Sequence, residues 1–124
     1  MTAVTITPDG NNNVVDIVEG QNQTFSCTTD SSRPAAWIQW YIGGQNVTNQ
    51  AAKQPPKQDG DKFISSSNLV YTGRYADHNK AILCETVNIE RRQKVKSTEK
   101  SLYLLGKLYF GYTCSRLVLG CYFY

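Results

Sequence analysis

The spacing of Cys27, Trp40 and Cys84 constrains this chain more than any other feature of it. Phe25 stands two residues before Cys27, Ile38 two before Trp40 and Ile82 two before Cys84. Residues two apart share one face of a strand, so each thiol or indole has an apolar neighbour pointing the same way. Three strands would then aim a Cys or Trp into one core, joined by Leu69 and Tyr71, another apolar pair spaced by two. The intervals between the three markers are those expected when two sheets pack face to face.

Taken in order, the chain reads as a succession of short strands. Val4 and Ile6 alternate with threonines, and the turn-forming run Pro8-Asp9-Gly10 then breaks the first strand before Val14–Val18 resumes it. Glu19-Gly20-Gln21 turns into the strand of Phe25 and Cys27, and a polar loop follows to Pro34. The strand Trp37–Ile42 sends Ile38 and Trp40 inward and Trp37, Gln39 and Tyr41 outward. Gly43-Gly44 predicts a hairpin turn into a short strand around Val47. From Asn49 to Asp61 the composition shifts to Gln, Lys, Pro, Gly and Asp, which predicts an exposed connection without a strand. Phe63-Ile64 and Leu69–Tyr71 supply two further strands, Ala81–Asn88 carries Cys84, and a charged hairpin from Glu90 to Lys100 leads to a last strand ending at Leu105. Seven to nine short strands and no substantial helix result.

Several motifs together make the chain resemble the immunoglobulin superfamily over about residues 1–105. They are Glu19-Gly20 before Phe25-Ser26-Cys27, Arg33-Pro34-Ala35 before Ile38-Gln39-Trp40-Tyr41, and Asp77-His78-Asn79-Lys80 before Cys84-Glu85. The likeness is to C2-type and I-type domains of cell-adhesion and recognition receptors, of the nephrin-like and nectin-like kind. It implies an all-β, two-sheet Greek-key sandwich with Phe25, Ile38, Trp40, Leu69, Tyr71 and Ile82 in its core. It also implies a bridge from Cys27 to Cys84 with Trp40 packed against it. In the chain-entropy model, closing a loop of that length removes roughly 4 kcal/mol of unfolded-state freedom. Many such domains place a tyrosine two residues before the second Cys; here that position is Ile82.

At 124 residues the chain suits one domain. Four cysteines allow three pairings, which counting alone does not separate; with Cys27 joined to Cys84, Cys114 and Cys121 remain as a second pair. Two Asn-x-Thr sequons, at Asn22 and Asn46, fall where the strand pattern exposes them and point with the cysteines to an extracellular setting. The opening Met-Thr-Ala-Val has no basic, apolar leader, so a leader was removed or the chain is a piece of something longer. The segment 106–124 is apolar and aromatic and departs from the family pattern. It reads weakly as a membrane span, since Arg116 sits in it, and otherwise as an added β-hairpin closed by Cys114 and Cys121, or as an unrelated stub that drives association. Any membrane attachment would then come through a segment missing from this chain. A net charge of +3 is too small to indicate nucleic-acid binding.

Catalysis, metal binding and cofactors find little support in the residues. The single histidine, His78, lies in a predicted turn and reads as solvated. The acidic pair Asp59 and Asp61 lacks the downstream ligands of a calcium loop, and the cysteines lack zinc-type spacing. Binding is the better reading. Trp37, Gln39 and Tyr41, beside Leu83 and Glu85 of a neighbouring strand, form an outer face suited to a protein partner, either a different protein or a second copy of this chain. Arg91, Arg92 and Lys94 stand at its charged margin. An equally weighted alternative buries Trp37 beneath the connection that follows. A reading from another class gives the basic hairpin, with Lys96 and Lys100 added, to anionic glycans in an immune-defence setting.

Overall fold

Residue alternation becomes strand pairing along most of the described residues. The computed structural model describes residues 4–8, 13–88 and 92–106. They form twelve strands: β1 Val4–Thr7, β2 Val14–Val18, β3 Asn22–Thr29, β4 Trp37–Ile42, β5 Gln45–Asn46, β6 Ala51–Lys53, β7 Lys57–Asp59, β8 Lys62–Ile64, β9 Ser66–Thr72, β10 Ala81–Asn88, β11 Gln93–Lys96 and β12 Lys100–Leu105. One sheet runs β1-β3-β9-β6; the other runs β2-β12-β10-β4-β5, with β11 beside β10. The interrupted first strand therefore serves both sheets. Its β1 half pairs antiparallel with β3 and its β2 half parallel with β12. This is the immunoglobulin-like all-β sandwich that the motifs imply.

The apolar faces of the two sheets meet in one core of Ile6, Ile17, Phe25, Trp40, Leu69, Ile82 and their neighbours, all buried. Ile38 is only partly buried and packs on the margin of this core. The Cys27–Cys84 disulfide joins β3 to β10, with its Cα atoms 6.4 Å apart. Trp40 is the cross-strand neighbour of Cys84, and Ser67 is the cross-strand neighbour of Cys27. The Trp40 Nε1–H donates to Ser67 Oγ at 3.0 Å, in the same layer as the disulfide. One covalent bond and one buried hydrogen bond thus fasten the sheets side by side.

Three expectations are corrected. Residues 49–61 are not a plain connection: β6 completes the edge of the first sheet against β9, and β7 and β8 form a separate hairpin. Two residues, Gly60 and Asp61, turn that hairpin, and Gly60 takes φ +64 as such turns require. Compositional shift hid a Gly-Asp turn signal, and the strand total exceeds the expected range for that reason. Val47 lies just past the two-residue β5 and is buried ahead of a 3₁₀ turn at Thr48–Gln50. Gly43-Gly44 does turn β4 into β5, both with positive φ. The tail expected at 106–124, with Cys114, Cys121 and the hairpin or span readings, lies beyond Gly106 outside the described residues, as does Arg91.

Gly73 joins the end of β9 to the β2–β3 turn. Its N–H donates to Gln21 O at 2.9 Å and its carbonyl accepts from Gly20 N at 2.9 Å. A Cβ at Gly73 would stand 2.8 Å from Val18 O and 3.0 Å from Leu104 Cδ1, so the backbone itself would have to move.

Ser67→Ala strips the buried Trp40 N–H of its acceptor and should cost about 1–3 kcal/mol, against about 3–5 kcal/mol for the cavity left by Trp40→Ala, both read from denaturant midpoints of the oxidised protein. Gly73→Ala should cost about 1–3 kcal/mol by overpacking. A variant as stable as the parent would show that the close approach at Gly73 relaxes without cost.

Candidate functional site

The outer face of the larger sheet follows from register. Cross-strand partners on an antiparallel pair share a face. Trp37 of β4 pairs with Val87 of β10, and Val87 with Lys94 of β11. The next row is Gln39, Glu85 and Lys96, and the row beyond it is Tyr41 and Leu83, with Asn46 of β5 opposite Tyr41. The inward set of β4, Ile38, Trp40 and Ile42, leaves the alternate residues facing away from the core. Trp37, Gln39 and Tyr41 are thereby brought onto one surface with Leu83 and Lys94.

Trp37 is 59% exposed, more than any other large apolar side chain among the described residues. The Lys53 ammonium lies 5.3 Å from its ring centroid, a cation–π contact reaching across from β6 of the other sheet. The segment after β5 therefore touches Trp37 without covering it. The Tyr41 hydroxyl donates to Gln39 Oε1 at 2.8 Å, so two of the three outward residues of β4 are held in fixed orientation. Glu85 differs from its expected role: it is buried between the Gln39 and Lys96 strands and offers the surface little.

The basic margin is smaller than the sequence implies. Arg92, Lys94 and Lys96 are exposed. Lys100 is 4% exposed, with its ammonium donating to Asn13 Oδ1 at 2.9 Å. Buried and bonded in this way, it is a structural cation and not part of a glycan-attracting surface. Asn22 and Asn46 are both exposed, at the start of β3 and on β5. Asn22 Oδ1 accepts from Thr72 Oγ1 at 2.7 Å, and Asn46 Oδ1 accepts from Thr48 N at 3.0 Å.

His78 is not a solvated turn residue. The turn at Tyr75–Asp77 folds back along β12, and His78 Nδ1 accepts the Leu104 N–H at 3.1 Å. The ring stacks on Tyr75 and meets Tyr103 edge-on. Beside it, Tyr71 reaches across from β9: its hydroxyl donates to Asp77 Oδ2 at 2.7 Å and accepts from Arg74 N at 3.2 Å. Lys80 donates to Asp77 Oδ1 at 3.0 Å. With Ile82 buried at the usual tyrosine position, Tyr71 pins this corner instead. Burial pushes the Tyr71 phenol up to about 12, against the pull of the Arg74 N–H and with the help of the Asp77 carboxylate. Burial works to raise the Asp77 carboxyl, but the hydrogen bonds from Tyr71 and Lys80 hold it below its ordinary value.

Among the described residues no group of three or more His, Cys, Asp or Glu is placed to hold a metal. Among them, too, no helix is long and apolar enough to cross a membrane. What the arrangement offers is an aromatic surface on a rigid sheet.

Comparison with known proteins accords with this architecture. The family model of the CD80-like C2-set immunoglobulin domain matches residues 5–94, more than half of the chain. Cell adhesion molecule 2 of Xenopus tropicalis is 31% identical over 68 residues, which is 55% of this chain and 16% of that protein. The chain thus spans a small part of that relative's length. The crystal structure of Rst D1-D2 superposes with a TM-score of 0.70 at 24% identity, over 82% of this chain and 48% of that one. The fourth constant immunoglobulin domain of nurse shark IgNAR superposes with a TM-score of 0.51 at 20% identity, over 66% of this chain and 78% of that one. At these identities the two structures attest the fold alone.

The Tyr71 corner generates a pH prediction. An unfolded chain releases this phenolic proton near pH 10 and the folded one near 12. Between those values the folded state binds more protons, so stability should fall as pH rises through that window. Denaturant midpoints from pH 9 to pH 12 should show a steeper decline in the parent than in Tyr71→Phe. Equal slopes would remove Tyr71 from the alkaline transition.

Proposed function

This chain belongs to the CD80-like C2-set immunoglobulin domain family, and from that premise we propose that it is an extracellular, non-enzymatic recognition module of the adhesion kind. Its contact surface is the outer face of β4 and β10. The observation that carries this reading is the 59% exposure of Trp37 on a face whose neighbours Gln39 and Tyr41 are fixed by a hydrogen bond. A large aromatic held on a rigid strand buries much area on docking while losing little side-chain freedom, which is why such residues anchor protein interfaces. Kinship with a cell adhesion molecule supports the same class of role. The Cys27–Cys84 bridge supports an oxidising compartment, where such bonds persist.

Both sequons suit glycosylation, and Asn46 sets a boundary. It stands opposite Tyr41 on the same surface, so a glycan there would cover the β5 side and leave the Trp37 end open. Arg92 and Lys94 stand exposed at the margin of that open end, outside its apolar centre. The partner we assign is a second copy of the chain, with the apolar Trp37 end at the centre of the contact.

Light scattering of the purified, oxidised full chain over a range of concentrations tests this reading. We expect a concentration-dependent dimer that Trp37→Ala weakens by about tenfold or more, in line with loss of an aromatic anchor, while its thermal midpoint stays within about 2 °C of the parent. Association that survives Trp37→Ala, or a Trp37→Ala protein that is melted, would sink the assignment.

A further inference from the structure

At the edge of the sandwich the same indole borders a cleft of about 230 Å³ between the start of β4 and the edge strand β6. Trp37, Ile38, Lys53, Gln54, Ser65 and Ser66 are among its lining residues, and no Asp or Glu lines it. Two hydroxyls of this wall are engaged: Ser67 Oγ takes the Trp40 indole N–H, and Thr48 Oγ1 takes the Trp40 backbone N–H. Ser65 is buried, 4% exposed, and its Oγ has no hydrogen-bond partner among the described residues. A buried hydroxyl without a partner costs stability, so its presence here calls for an explanation outside the fold.

We propose that this cleft binds a carboxylated sugar ring, the chemistry shared by sialic and uronic acids. A pyranose has an apolar C–H face and a hydroxyl-bearing edge. The open Trp37 ring matches the first; the Ser65 and Ser66 hydroxyls and the Gln54 amide match the second. The Lys53 ammonium, held over the indole, is the cation that meets the carboxylate. Lys94, beyond Val87 on the row of Trp37, adds positive potential from the other side. The cavity is smaller than the roughly 300–1,000 Å³ of drug-sized pockets, which suits one ring. An apolar side chain from a protein partner would leave the buried Ser65 hydroxyl unsatisfied and would desolvate the Gln54 amide at a cost. The proposal shares Trp37 with the sheet-face reading but rests on Lys53 and Ser65, which lie off that face.

The experiment follows tryptophan fluorescence of the full chain, in which Trp40 is fully buried and Trp37 reports on the cleft. Sialyllactose, a glucuronic-acid-terminated disaccharide, lactose and a hexaglutamate peptide are titrated separately. At least one acidic sugar should give a saturable change in the millimolar range, with lactose about tenfold weaker, since the carboxylate contact is lost. Lys53→Gln should weaken the acidic sugar by about the same factor. Ser65→Ala should weaken it severalfold while leaving the thermal midpoint equal or higher, because the variant removes an unpartnered buried hydroxyl. Ser65→Ala should also leave self-association unchanged, so the cleft and the sheet face fail separately. Absence of a saturable response to either acidic sugar overturns the proposal. So does hexaglutamate binding as tightly as the sugars, which would make this an acidic-peptide site, and so does sugar binding indifferent to both substitutions.

Discussion

The layer formed by Cys27, Cys84, Trp40 and Ser67 is the constraint on which the remaining structure depends. Register places Cys84 beside Trp40 on one sheet and Cys27 beside Ser67 on the other. The disulfide and the indole hydrogen bond therefore close across the same gap, one residue pair apart. A disulfide alone leaves two sheets able to pivot about a single link. A second tie next to it fixes their rotation, and Phe25, Leu69 and Ile82 can then pack without alternatives. The Trp40 N–H finds its acceptor only when the two sheets are correctly aligned, so the polar atom adds specificity to an otherwise apolar core.

From this layer the outer face inherits its rigidity. β4 and β10 pair continuously from Trp37↔Val87 to Ile42↔Ile82, with the tethered Trp40 and Cys84 in the middle of that ladder. Every residue between them in the alternation is held at a set height above the core. Tyr41 and Gln39 lock each other further. Beyond β10, the side of β12 turned away from β2 is satisfied by unlike means. β12 pairs with β10 only at its start, and the turn after Tyr75 supplies the rest: Asn79 N–H to Leu102 O, and His78 Nδ1 to the Leu104 N–H.

Residues whose environment is set by strand alternation could be read from the sequence, and those set by contacts between distant segments could not. Phe25, Cys27, Trp40, Ile82 and Cys84 declare their side of the sheet by spacing alone, and Trp37 declares the opposite side. Lys100 gave no such signal, because a lysine in a charged hairpin looks solvated until Asn13 is brought against it. His78 was illegible for the same reason, its acceptor role depending on β12. Strands β6 to β8 were masked by a Gln- and Lys-rich composition that suits an edge strand as well as a loop, since edge strands carry lysines to deter further pairing. Ser65 and Lys53 reach the Trp37 cleft from the other sheet, and no local pattern could have linked them to it.

The two tryptophans of β4, three residues apart, stand in opposite environments. Trp40 is fully buried, its ring packed in the core and its N–H satisfied by Ser67. Trp37 leaves most of its ring in water, where the hydrophobic effect disfavours it, with one lysine as partner. Nothing in the folding of this domain asks for an indole at that position: a polar residue would keep the alternation and avoid the exposed apolar area. The unpartnered Ser65 hydroxyl close by is likewise unfavourable for the isolated fold. Two residues that each weaken the isolated domain thus line one cleft, beside Lys53 and with no Asp or Glu among its described lining residues, and the proposed ligand would account for both. The same argument run on Trp40 and Ser67 ends inside the core, where the indole N–H and the serine hydroxyl satisfy each other and nothing outside the fold is called for.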